Sequence, residues 1–163
     1  METKDAEDDT RETRFQTIDR SSSSESEMSQ AIKTAIYNKL TLSQIGGSVY
    51  DLVGGRIYEL QGQDDADLPL LTYEVQSTPV SGLFDGEVYI KSQVLFTIYG
   101  HRRLGAAAIG AIEDELYDLM KDAALAPTGY DRGVVIPLDR DRRTVFDEII
   151  ASESIYSVEA TTT

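Results

Sequence analysis

Histidine, cysteine and converging carboxylates carry most enzyme chemistry and metal binding, and this chain offers them sparingly. It contains no cysteine and a single histidine, so disulfides, thiolate metal sites and cysteine nucleophiles are excluded. His101 is followed by Arg102 and Arg103 where a strand pattern gives way to a helical one, with no acid or nucleophile beside it. A polar residue at a turn accounts for it better than a general base does. Asp64, Asp65 and Asp67 present oxygen ligands suited to Ca²⁺ or Mg²⁺, yet they lack the EF-hand spacing and its closing glutamate. A solvated loop is the better reading. Glu113, Asp114 and Glu115 are consecutive, and neighbouring helix positions splay by about 100°. They are expected on a hydrated helix face rather than around one substrate. Gly46-Gly47 and Gly54-Gly55 match neither the Walker spacing nor the dinucleotide fingerprint and read as turns. Arg140, Arg142 and Arg143 are interleaved with Asp139 and Asp141, sum to near neutrality, and read as a hairpin tip rather than a DNA clamp. No catalytic residue, cofactor site or metal ligand is assigned, and neither enzymatic activity nor a cofactor is expected.

The elements that would position any site follow from hydrophobic period and punctuation. Met1 to Glu27 is rich in Asp, Glu, Ser and Thr and nearly devoid of apolar residues except Phe15 and Ile18. Such a segment cannot offset its own ordering entropy; it reads as an acidic, serine-rich arm, either disordered or held by a partner. Ser24 and Glu27 have capping-box spacing, and Met28, Ile32, Ala35, Ile36 and Leu40 recur on one face, which predicts a helix from about Ser24 to Leu40. Beyond a loop around Val49-Tyr50-Asp51-Leu52 the period changes to two. Arg56 to Leu60 and Leu70 to Gln76 read as strands, and a longer one carries Val88, Ile90, Val94, Phe96 and Ile98 on one face. Between His101 and Ala124 helical spacing returns, with Leu104, Ala108, Ile112, Leu116, Leu119 and Ala123 as the apolar stripe. Three strand-like runs close the chain: Gly133 to Leu138, Thr144 to Ile150 and Ser154 to Ala160. This order predicts an α+β fold, a largely antiparallel sheet with two helices on one face, formed by a single domain over residues 28–163 with residues 1–27 as an extended arm.

Charge narrows the function further. The chain of 163 residues has a formal charge of −14, whereas gripping nucleic acid requires clustered Lys and Arg. The acidity fits DNA that passes without being held, and equally fits solubility or a saline environment. Met1 to Arg20 is charged rather than apolar, and no stretch is long and apolar enough for a transmembrane helix, so no membrane association is expected.

Taken in order, Gly55-Arg56-Ile57-Tyr58, an acidic gap ending in Pro69-Leu70-Leu71-Thr72-Tyr73-Glu74, Thr78-Pro79, and Val88-Tyr89-Ile90-Lys91-Ser92-Gln93-Val94-Leu95-Phe96-Thr97-Ile98-Tyr99 resemble the tail-terminator, or tail-completion, proteins of long-tailed siphovirus-like phages. The helix from Gly105 to Met120 completes the likeness, which spans roughly residues 31–159. The resemblance implies an α+β virion protein, assembled in the host cytoplasm, that forms a homo-oligomeric ring, usually a hexamer, on the last ring of tail-tube protein. It would stop tube growth and present a surface to the head–tail connector or stopper, with DNA passing through the lumen. A different neck component or a tail-tube relative is the nearest alternative, and a non-viral α+β adaptor a more distant one. The acidic N-terminal extension has no counterpart in the family pattern.

Two places qualify as subunit or tube contacts. Val80, Leu83 and Phe84 are apolar within a segment that Pro79, Ser81, Gly82, Asp85 and Gly86 mark as turn and surface. They either fold back on their own sheet or anchor a neighbour. Arg102 and Arg103 precede a helix N-terminus, the unfavourable end of the dipole for a cation, and are expected to face outward toward acidic partners.

Overall fold

The computed structural model describes residues 27, 29–42, 44–62, 66–76, 82–84 and 87–161. Within them a first helix, α1, covers residues 27 and 29–42, and Ile32, Ile36 and Leu40 form its buried stripe. Ser24 lies outside the described residues. The stretch around Val49, expected as loop, forms one helical turn instead, α2 (Val49–Leu52). Its cap explains this: the Asp51 N–H donates to Ser48 Oγ at 3.3 Å, and the Asp51 carboxylate accepts from the Gly47 N–H at 2.9 Å. Val49 and Val53 then both reach the core.

The strands are β1 (Ile57–Glu59), β2 (Leu70–Gln76), β3 (Gly82–Phe84), β4 (Glu87–His101), β5 (Ala124–Leu125), β6 (Arg132–Phe146) and β7 (Ile149–Thr161). They form one sheet in the order β1-β2-β4-β7-β6-β5, with β3 paired to β4. Among the described residues only β1 and β2 run parallel; every other pairing is antiparallel. This is the α+β architecture expected from the pattern. Alternation along β4 sends Val94, Phe96 and Ile98 to one face, where they meet Tyr73 and Val75 of β2, Tyr156 and Val158 of β7 and Val135 of β6 in a single buried cluster. Phe96 lies edge-to-face with Tyr156 at a centroid distance of 5.3 Å.

After β4 a 3₁₀ turn, Arg102–Leu104, leads into α3 (Gly105–Met120). Gly105 has φ +76°, a conformation that disfavours any residue with a Cβ, so it suits the junction. The buried stripe of α3 is Ile109, Ile112, Glu113, Leu116 and Met120, one position round the helix from the expected one. Leu104 precedes the helix and is exposed, and Ala123 follows it and is buried. Gly100 explains the close seat of α3 on the sheet: a Cβ there would collide with the Ile109 side chain. Both α1 and α3 supply the same core, which places them on one face of the sheet.

The strongest departure from expectation concerns the C-terminal hairpin. Gly133 to Leu138 and Thr144 to Phe146 belong to one 15-residue strand, and Arg140, Arg142 and Arg143 lie within it rather than at a tip. The true turn is Asp147-Glu148, between the paired Phe146 and Ile149. Register shifts between Pro137 and Asp139 and between Asp139 and Arg142 absorb the proline and the charged run, which is how a strand survives a sequence that reads as a loop.

Candidate functional site

The sheet is blunted unequally at its β6 border. The two-residue β5 pairs with β6 only at Val134 and Gly133, so the outer side of β6 beyond Ile136 has no strand neighbour among the described residues. On its inner flank β6 is tied to α3. Arg143 holds the Glu113 carboxylate in a two-pronged contact, Nε donating to Oε1 at 2.8 Å and Nη2 to Oε2. Arg140 lies 3.7 Å from the Tyr117 ring centroid and reaches Asp114 at 3.5 Å. Glu113 was expected on a hydrated helix face but is buried. Burial works to raise its carboxyl pKa; the Arg143 hydrogen bond and the charges of Arg143 and Arg140 outweigh that and hold it below the ordinary carboxylate range. The pair is a structural clamp between helix and strand.

Past that clamp the β6 strand of the hairpin and its turn are exposed. Every residue from Arg142 to Ile149 is exposed, whereas Ile150, Ala151 and Ser152 of β7, opposite Val145, Thr144 and Arg143, are buried, so the exposure belongs to the β6 strand and the turn. Val145, Phe146 and Ile149 are among the exposed residues, with Phe146 63% exposed. The end of β4 lies alongside: His101 pairs with Ile149, and the Arg102 N–H donates to the Glu148 carbonyl at 2.7 Å. Leu104 is also exposed, as is Arg103, whose side chain is 83% exposed. Arg103 is 3.5 Å from the Glu148 carboxylate, a solvent-screened contact of little energetic weight. The hairpin end thus exposes Phe146 and Ile149 as an opposed pair, with Val145 on the other face of the strand, beside His101 and Arg102.

The two predicted contact regions therefore lie apart. Arg102 and Arg103 stand at this corner, exposed as expected. Val80 and the side chains of Leu83 and Phe84 lie outside the described residues; the backbone of Gly82–Phe84 forms β3, with Leu83 opposite Val88. Val145, Phe146 and Ile149 had been read as parts of one strand. The signal that would have found them is Asp147-Glu148 set between two apolar pairs, the spacing of a two-residue hairpin loop.

His101 is an exposed strand-end residue. Asp64 and Asp65 lie outside the described residues, and among those described no three His, Asp or Glu side chains converge as metal ligands. No helix among them is long and apolar enough to cross a membrane.

The fold is similar to that of a solved chain from the virion of a native gene transfer agent particle, with a TM-score of 0.68 at 13% identity over 82% of this chain and 97% of that one. A second solved chain shows the same likeness at a TM-score of 0.54, also 13% identical, over 80% of this chain and 94% of that one. At such identity the likeness is one of fold. No protein-family model matches the sequence, and no curated protein does.

Proposed function

We propose that this chain is a non-enzymatic structural subunit of a tailed virus-like particle, acting as a tail terminator. It forms a ring, six-fold by resemblance, at the head-proximal end of the tail tube, ends tube polymerisation and joins the tube to the head–tail connector. The observation that carries the reading is the fold shared with a gene transfer agent virion chain over 97% of that chain's length. The order of strands and helix that resembles tail-completion proteins supplies the finer assignment. An uncovered, apolar hairpin end supports a subunit built to be covered by others. The net charge of −14 suits a lumen through which DNA slides without binding.

Silencing the gene in the particle that encodes it tests the reading by electron microscopy. The expected result is unjoined heads together with tubes of unregulated length. Tubes of normal length joined to heads would rule the terminator role out, and normal tubes left unjoined would move the chain to a connector or stopper position.

A further inference from the structure

Beyond its bulges β6 is fastened to the body by charge rather than by apolar burial. Over residues 138–146 no apolar side chain is buried: Leu138, Val145 and Phe146 are all exposed. The outer side of this stretch has no strand neighbour among the described residues, so its ladder runs to β7 alone. Two arginines tie it to α3. Arg143 forks onto the buried Glu113 carboxylate, and Arg140 lies over the Tyr117 ring and reaches Asp114. Each end of the stretch is pinned separately. Pro137 pairs with the buried Tyr156, and at the turn the Glu148 carbonyl accepts from the Arg102 N–H. Across the ladder the situation is different: Ile150, Ala151 and Ser152 of β7 are buried and pair with β4 as well as with β6. β7 therefore keeps its place without β6.

We propose that residues 139–146 form a strap, pinned at both ends and fastened to α3 by Arg140 and Arg143, that opens from α3 and β7 while the rest of the sheet stays folded. A segment with few buried apolar contacts and solvent-facing hydrogen bonds opens below the free energy of global unfolding. Opening withdraws the Arg143 fork and leaves the Glu113 carboxylate buried without it; that penalty keeps the strap shut. The device lets the β6 side of the hairpin yield to whatever it meets without unfolding the domain, and it does not depend on the ring reading.

Amide hydrogen exchange of the full-length protein, followed by mass spectrometry at urea concentrations below the unfolding transition, tests this. In wild type the amides of residues 139–146 should exchange at least ~100-fold faster than those of residues 94–98 in β4. Low urea should leave the strap rate unchanged, because opening exposes little surface, while the β4 rate climbs. Glu113→Gln should speed the strap by about 5–30-fold, the factor expected for loss of a charged hydrogen bond. Val158→Ala trims a buried side chain paired with Val135, away from the strap. It should speed β4 and leave the strap as it was. Strap amides that share the rate and urea dependence of β4 in wild type, or that speed up in Val158→Ala, would show one cooperative unit and end the proposal. An unchanged strap rate in Glu113→Gln would end it as well, since the fork would then not be the fastening.

Discussion

The two halves of the β6–β7 hairpin share one antiparallel ladder but not one environment. Near its open end, Val135, Tyr156, Val158 and Ala160 are buried among residues of β4 and the helices. Beyond the bulges, Val145, Phe146 and Ile149 are paired just as regularly and are exposed. Backbone hydrogen bonding therefore does not separate them; burial does. In the first half Val135 and the β7 side chains have their partners within the chain, while Val134, Ile136 and Leu138 on β6 are exposed. In the second half Ile150 and Ala151 of β7 are still buried, whereas Val145, Phe146 and Ile149 are exposed and leave apolar surface at the hairpin end. The Arg143–Glu113 clamp, where the cover ends, marks the border between the half that specifies the fold and the half available for contact.

If that division is right, substitutions in the buried half should cost the most stability. Tyr156 is 1% exposed and stacks edge-to-face on Phe96. Tyr156→Ala should lower unfolding free energy by about 3–5 kcal/mol, as large-to-small core changes do. Urea denaturation of dilute protein measures this, and a loss below about 1 kcal/mol would mean that the hairpin base is not part of the core.

At the border the effect should be intermediate. Glu113→Gln keeps the shape of the side chain and removes the charge that the Arg143 fork grips. With Arg143 partly solvated, the expected loss is about 1–2 kcal/mol. A neutral result would make the clamp ornamental and the border arbitrary.

The same pair predicts an acid limb. Glu113 has its folded pKa below its unfolded value, so it contributes stability that is fully present above the unfolded carboxylate range and is lost as pH falls through the lower, folded pKa. Glu159 has the same sign, its carboxyl lowered first by the Lys91 hydrogen bond, with Nζ 3.0 Å away. Melting temperature should hold steady down to about pH 5 and fall below pH 4. In Glu113→Gln that fall should be shallower, and an unchanged acid limb would remove Glu113 from the account.

How legible this was in the sequence depends on the distance between cause and effect. Strands β2 and β4 were readable because Leu70 to Gln76 and Val88 to Ile98 carry their apolar pattern locally. The helix Gly105–Met120 was readable for the same reason, although its buried face was set one position off. That error has a physical source: Glu113 was excluded from the buried side because it is charged, and its partner Arg143 stands 30 residues away. The continuity of β6 was hidden in the same way. Pro137 and the charged run Asp139 to Arg143 look like loop until bulges, Glu113 and Tyr117 give them places. Arg102 and Arg103 were legible as outward-facing because the helix dipole disfavours them locally. The apolar end beside them was not, since exposure of Phe146 depends on what fails to cover it.

The smallest effect on stability is expected where the sequence looks most like core. Phe146→Ser with Ile149→Ser removes a directly opposed pair of apolar side chains from the hairpin end. In a folding core that double change would cost several kcal/mol; here both residues are already exposed. What is lost is one cross-strand pair, worth less than about 1 kcal/mol. Circular dichroism and the urea midpoint of dilute protein should stay near wild type, while sedimentation at high concentration should show association lost. Stability and assembly then respond oppositely in the two halves: Tyr156→Ala unfolds the copy, and the Phe146 and Ile149 pair leaves it folded but alone. A double variant that unfolds instead would place the hairpin end inside the folding unit. One that folds and still associates would move the contact to another surface.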